Sequence, residues 1–223
     1  MTLSELRPTA TIEDYLELIH VLTRDGETII AARLAEMLSV SAPTVTLTLK
    51  RMIRDGWISV NAKKEIQLTR SGEEAAASVI RRHMLTEVML AKILNVPWSQ
   101  VHAEAHHIEH TISDEVEARL RNNLSEPTTC PHGNPLPGYE DQVASWIPLV
   151  DLPAGATGIL RRIHELAEDQ PEILNFLEQN DLLPGTQFRV IEVLPYNQVI
   201  TLDVGDRKVS FGFSAARYLF VER

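Results

Sequence analysis

Cysteine is nearly missing from this chain: Cys130 is the only one in 223 residues. One thiol cannot close an intrachain disulfide, so a cross-linked secreted scaffold is excluded and a reducing cytoplasm is the natural setting. Long apolar runs are missing as well. No stretch of about 18 apolar residues occurs, so no membrane-crossing helix is expected. The opening MTLSELRPTATIEDYLELIH is interrupted by acidic side chains and reads as neither a secretory signal nor an anchor. Net positive charge is lacking too: the total is −10. Taken as a whole, that argues against a polyanionic partner.

The charge is unevenly spread, however. Residues 1–82 hold 11 basic and 11 acidic side chains, so the later part of the chain carries the whole deficit. Residues 41–64 contain Lys50, Arg51, Arg54, Lys63 and Lys64 against Asp55 alone. Contact with phosphate depends on the local field, so a basic element on an acidic protein is compatible with DNA.

The length leaves room for two or three small domains. Apolar residues at Ile12, Tyr15, Leu16, Ile19 and Leu22 have helical spacing, closed by Asp25-Gly26. IIAARLAEMLSV reads as a second helix. SAPTVTLTLKRMIRDGW reads as a third, with Ser41 as cap and Pro43 in its first turn. WISVNAKKEIQLT alternates as two short strands around Asn61-Ala62-Lys63-Lys64. Three helices and a hairpin make a winged helix-turn-helix. Its third helix enters a major groove, with Ser41, Pro43, Thr44, Thr46 and Lys50 outward and Arg51 and Arg54 flanking. Lys63 and Lys64, at the tip of the wing, are expected to touch phosphate. A solvated basic face is the plainer alternative.

A long helix is expected to about Leu94, a break at NVPWSQ with Ser99 capping, and then one helix from Val101 to about Leu124. SEPTTCPHGNPLPG is irregular. From about Ile147 onward, short strands with turn signals and one helix, QPEILNFLEQN, indicate a small β-barrel.

Four of the chain's eight histidines lie in VHAEAHHIEH, residues 101–110. At about 100° per residue, His102, His106, Glu109 and His110 share an arc of roughly 100°, with Glu104 and His107 facing away. Imidazole and carboxylate are the preferred donors of Mn²⁺, Fe²⁺ and Zn²⁺. Further donor pairs stand at matching helical spacing: Asp14 with Glu17, and His83 with Glu87. Cys130 and His132 lie in the irregular loop and could fold toward a helix. Against a metal site stands a solvated face of ordinary histidines. A second rival is enzymatic: HHIEH fits the inverted zinc-protease pattern H-x-x-E-H, with Glu109 as general base. No body of protease size follows it, and the basic N-terminal block would be unexplained. A third is a metal-sensing module without a DNA role.

IEDYLELIHVL, AARLAEMLSVSAPTVTLTLKRMIRDGWI, LTRSGEEAA, RRHMLTE, VHAEAHHIEHTISDEVEARL and CPHGNPLPG together resemble the metal-dependent repressors of the diphtheria toxin repressor family. The resemblance covers nearly the whole chain. It implies a winged helix-turn-helix over 1–75, a helical metal-binding and dimerisation domain over 76–140, and an SH3-like (FeoA-like) domain over 147–223. It implies a cytoplasmic homodimer that binds double-stranded operator DNA with a divalent metal as co-repressor. Its primary site falls on Asp14, His106, Glu109 and His110, with Glu17 beside it as in some manganese members. A second site falls on His83, Glu87 and His102, joined by Cys130 and His132. Asp169 and Glu172 lie where the SH3-like domain of some members donates ligands. The iron-responsive branch has methionine where this chain has Asp14 and cysteine where it has His106; the manganese-responsive branch has Asp and Glu. Asp14 follows the manganese branch and His106 follows neither. Without thioether and thiol at the primary site, Mn²⁺ is favoured over Fe²⁺, with Zn²⁺ still open.

Overall fold

In the computed structural model, which describes residues 7–205 and 207–223, helix α1 spans Ala10–Arg24 and buries Ile12, Leu16, Ile19 and Leu22 along one stripe. Helix α2 (Ala31–Met37) buries Leu34, and the chain turns at Ser39, which sits in the left-handed region (φ 52°). Helix α3 spans Ala42–Arg54. Ser41 caps it as anticipated, its Oγ accepting the Thr44 N–H at 3.3 Å. Val45, Leu49 and Met52 face inward.

Strands β1 (Ile58–Val60) and β2 (Ile66–Leu68) pair antiparallel. Asn61 shapes the tip between them: its Oδ1 accepts from the amides of Lys63 and Glu65, at 2.9 and 3.0 Å. Thr69 starts helix α4 (Arg70–Lys92) by accepting the Gly72 N–H through Oγ1. Arg82, midway along α4, donates to Glu13 at 2.6 Å, and both side chains are 3% exposed. That buried pair ties α1 to α4, and losing either side chain would take from the other a buried counter-charge.

The chain divides into two compact units, with the division between Arg82 and His83. In the second unit a 3-10 turn at Trp98–Gln100 leads into helix α5 (Val101–Ile108). Ser99 does not cap it; its Oγ donates to Glu178 at 2.6 Å. The single helix expected from 101 to 124 is broken. Glu109–Thr111 tighten into a 3-10 turn, Ile112 is extended, and helix α6 starts afresh at Asp114 and ends at Asn123. The reason is local: Ser113 accepts the Val116 N–H, and Asp114, Glu115 and Glu117 load the first turn of a new helix.

The C-terminal part is a six-stranded antiparallel sheet in the order β3-β8-β4-β5-β6-β7. Its strands are β3 (Ile147–Pro148), β4 (Thr157–Ile163), β5 (Gln187–Leu194), β6 (Val199–Val204), β7 (Arg207–Gly212) and β8 (Leu219–Glu222). Helix α8 (Pro171–Gln179) is the expected insertion; one-turn helices α7 (Glu165–Glu168) and α9 (Phe213–Ala216) accompany it. Leu160, Ile163, Leu174, Leu177, Val190, Ile200 and Leu202 fill the core. Among the described residues, no helix is long and apolar enough to cross a membrane.

Candidate metal centre and nucleic-acid interface

In the first unit the nine residues expected to meet DNA (Ser41, Pro43, Thr44, Thr46, Lys50, Arg51, Arg54, Lys63 and Lys64) are all exposed. Their hydroxyls are less available than the sequence suggested. Ser41 Oγ lies 2.8 Å from Thr44 Oγ1 while capping the helix, and Thr46 Oγ1 donates back to the Ala42 carbonyl at 2.9 Å. Arg54 is paired with Asp55, at 2.7 and 2.9 Å. Asp14 and Glu17 are half-buried on α1, next to the buried Glu13.

In the second unit the donors from α4, α5, the Cys130–His132 loop and the barrel gather in two adjoining clusters. Four nitrogen and oxygen atoms form the first. His102 Nδ1 lies 3.0 Å from His83 Nε2, 3.3 Å from Glu87 Oε1 and 2.9 Å from Glu168 Oε2. His83 Nε2 lies 3.3 Å from the same Glu87 oxygen. Two ring nitrogens and two carboxylate oxygens compete here for too few protons, which is the pattern of a cation site.

His132 and Cys130 extend this cluster. The His132 Nε2–H donates to the Trp98 carbonyl at 3.2 Å, which turns Nδ1 toward the carboxylates. That Nδ1 faces Glu87 Oε1 at 3.3 Å and Glu168 Oε1 at 3.6 Å. Although the two atoms are buried, neither His132 Nδ1 nor Glu87 Oε2 makes a hydrogen bond among the described residues. Unsatisfied buried acceptors are costly unless something positive joins them. Cys130 is buried beside them, and burial, followed by the Glu87 and Glu168 charges, pushes its thiol well up.

The loop that brings Cys130 and His132 here is clamped onto β4. Gly133 adopts φ +88°, and a Cβ on it would come within 1.9 Å of the Arg161 carbonyl. Asn134 is buried next to it. Its amide nitrogen donates to the Ile163 carbonyl at 2.7 Å and to Glu168, and its oxygen accepts from Arg162 Nε. Arg162 in turn holds Glu165 at 2.8 Å.

Glu109 is the hinge of the second cluster. One carboxylate oxygen bonds His83 Nδ1. The other lies 3.3 Å from His106 Nδ1 and 3.4 Å from His110 Nε2. Burial alone would raise this acid, but His106 and His83 outweigh it and hold Glu109 down to about 2. Burial would likewise favour neutral rings at His83 and His102, yet the surrounding carboxylates lift both well above the ordinary histidine value. Glu104 and His107 are exposed.

The histidine face anticipated from periodicity is therefore divided, with His102 in one cluster and His106, Glu109 and His110 in the other. Of the two barrel acids anticipated, Asp169 reaches His102 Nε2 at 3.3 Å, on the side of the ring away from the cluster. Glu172 is exposed, outside both clusters. Glu168, which the sequence pattern does not single out, is the buried barrel carboxylate of the first cluster. It adjoins Asp169 in HELAEDQ, so an offset of one residue hid it.

Comparison with known proteins gives three family matches along the chain. "Iron dependent repressor, N-terminal DNA binding domain" covers residues 8–66. "Iron dependent repressor, metal binding and dimerisation domain" covers 69–138, and "FeoA domain" covers 147–223. The iron-dependent repressor IdeR of Mycobacterium leprae is 35% identical over 96% of this chain and 97% of its own length. The diphtheria toxin repressor of Corynebacterium jeikeium is 41% identical over 86% of this chain and 76% of its own. Among solved structures, a manganese-dependent transcriptional repressor in complex with manganese matches with TM-score 0.82 and 28% identity, over 94% of this chain and 98% of that one. ScaR with bound Zn²⁺ matches with TM-score 0.80 and 27% identity, over 95% and 99%.

Proposed function

The chain belongs to the diphtheria toxin repressor family of metal-dependent, DNA-binding transcriptional repressors, and on that premise we propose that it is a cytoplasmic homodimer reading a palindromic operator when a divalent ion, Mn²⁺ before Fe²⁺, is bound. This family consists of regulators, not enzymes, which overturns the zinc-protease reading of HHIEH. The placement of Glu109 agrees: it is buried between imidazoles instead of facing a substrate cleft. The DNA-binding family match over 8–66 likewise removes the reading as a sensor without a DNA role.

The carrying observation is the crowding of lone pairs around Glu87, with two buried acceptor atoms that no proton satisfies. A bound divalent cation supplies the positive charge these donors lack. His83, Glu87, His102 and Glu168 form one proposed ligand set, with Cys130 and His132 beside it. His106, Glu109 and His110 form the other, and we assign Asp14 to it from the family resemblance, with Glu17 as a neighbour. Oxygen and nitrogen donors dominate both sets, which favours Mn²⁺; the Irving–Williams order leaves Zn²⁺ a strong competitor. Cys130 is the one soft donor.

Each residue has a task in this reading. The His83 Nδ1–H bond to Glu109 turns Nε2 toward the first set, where it would bind the ion once its proton is displaced, and joins the two sets through one carboxylate. Asn134 holds Glu168 in place from the barrel side. Asp14 stands on α1, in the same packed unit as α3, so restraining Asp14 restrains the recognition helix. The two recognition helices of a dimer must match the spacing of two half-sites, and a restrained pose raises the fraction of molecules that do.

The test is retention of DNA from a random duplex pool by the whole protein, with Mn²⁺ and with a chelator. Retention that needs Mn²⁺ and enriches an inverted repeat supports the reading. Equal retention under both conditions overturns it.

A further inference from the structure

The outward face of α3 carries an apolar side chain at its centre. With Leu47 at zero and about 100° per residue, Pro43 falls at roughly −40°, Arg54 at −20°, Arg51 at +40°, Lys50 at −60° and Thr44 at +60°. The opposite side is core: Val45, Leu49 and Met52 are buried. Leu47 is 55% exposed, although a leucine on a helix with so strong a buried face has its natural place inside. A lone surface leucine is ordinary. This one is ringed by cationic side chains, on the helix whose joint with α2 directs it outward.

The neighbours sharpen the point. Lys50, Arg51 and Arg54 suit a polyanion. The hydroxyls of Ser41, Thr44 and Thr46 are engaged within the helix. Lysine and arginine at the rim fix position on phosphate but carry little sequence information. The centre of the face is left to a side chain that has no hydrogen-bonding group. In a major groove such a side chain has one distinctive counterpart, the C5-methyl group of thymine.

We propose that Leu47 sets operator specificity by packing against the methyl group of a thymine in each half-site. The proposal rests on reading the chain as an operator-binding repressor. It adds the base that is read and the residue that reads it.

The experiment uses the full chain with Mn²⁺ and the duplex that it enriches from a random pool. Each thymine of that duplex is replaced singly by deoxyuridine, which removes only the methyl. For the unaltered protein, at least one position per half-site should lose about fourfold in affinity, the value of one buried methyl-sized group. Leu47→Ala should lose that sensitivity at the same position while keeping its salt dependence. Leu47→Gln should move the base selected there from thymine toward adenine, which glutamine pairs through N6 and N7. The side chain is exposed, so both variants should unfold with the unaltered chain, and thermal unfolding checks this.

Undiminished methyl sensitivity in Leu47→Ala, or an unchanged selected base in Leu47→Gln, overturns the assignment and leaves the repressor reading intact. The absence of a uracil effect at any position in the unaltered protein, as expected of a leucine face that serves another protein instead, overturns it as well. Failure of the Mn²⁺-loaded chain to enrich any duplex overturns the repressor reading itself, and this proposal with it.

Discussion

The outer face of α3 and the surroundings of Glu87 use polar groups in opposite ways. On α3 the charges stand in water and a leucine occupies the middle. Around Glu87 the charges are inside: Glu87 and Glu109 are 0% exposed and His83 is 4% exposed. The first arrangement costs the fold almost nothing, because solvated charges and a single surface leucine are cheap. The second is expensive, since each buried carboxylate needs a counter-charge. A chain keeps such a cluster only where several elements hold it. Here α4, α5, the Cys130–His132 loop and β4 all do. The contrast teaches that the outer face of α3 can be altered one side chain at a time, whereas the buried cluster around Glu87 responds as a unit.

That contrast is breakable, and the severest blow falls on Glu87. Glu87→Gln keeps the shape but removes the charge between His83, His102 and His132. Calorimetric titration should show Mn²⁺ affinity at this cluster falling by at least about 100-fold. Chemical unfolding of the metal-free protein should show a loss of about 3 kcal/mol, as for one member removed from a buried pair. If both values stay near those of the unaltered chain, the cluster is not a unit.

Acidity provides the next test. His83 and His102 hold their protons to well above the ordinary histidine value, because nearby carboxylates outweigh burial. A metal must displace those protons, so affinity should rise with pH until the raised pKa values are passed. The expected slope near neutrality is about tenfold per pH unit for each proton displaced. A flat profile across the range just above the ordinary histidine value would mean that the rings are neutral before binding.

Asn134→Ala is a smaller lesion, since it removes no proposed ligand but only the amide that steadies Glu168 and ties its loop to Arg162 and the Ile163 carbonyl. Mn²⁺ affinity should drop by about tenfold. Operator affinity at saturating Mn²⁺ should return to that of the unaltered chain, a recovery that a merely unfolded variant would not make. The mildest change is on the surface. Lys50→Ala should weaken binding to every duplex alike and reduce the salt slope by about 1, measured by titration at several ionic strengths. A changed sequence preference with an unchanged slope would make Lys50 a reader of bases.

Much of this was legible in the residues because it is local. Ser41 and Pro43 announce the start of α3, Asn61 the turn of the hairpin, and the spacing of apolar residues both faces of α1. The residues that meet in the two histidine–carboxylate clusters were largely legible too, since His83 with Glu87, and His102, His106, Glu109 and His110, stand at helical spacing. Their partition was not. Periodicity carried a continuous helix through residues 109–113, where Ser113 and three acids restart it. Ser99 looks like a cap until Glu178, 79 positions later, takes its hydroxyl. Glu168 and Asn134 meet the clusters only because the barrel folds back on α4 and α5 within the second unit. No short-range pattern encodes a contact between residues 102 and 168.

The proposal that Asp14 joins His106, Glu109 and His110 as a ligand is tested most directly by Asp14→Ala. Operator affinity of this variant and of the unaltered chain is measured with Mn²⁺ and with a chelator, alongside dimer mass and the unfolding transition. The account predicts that Asp14→Ala keeps its dimer and its fold but binds operator as weakly with Mn²⁺ as without it. Full Mn²⁺-dependent operator binding by Asp14→Ala would contradict it.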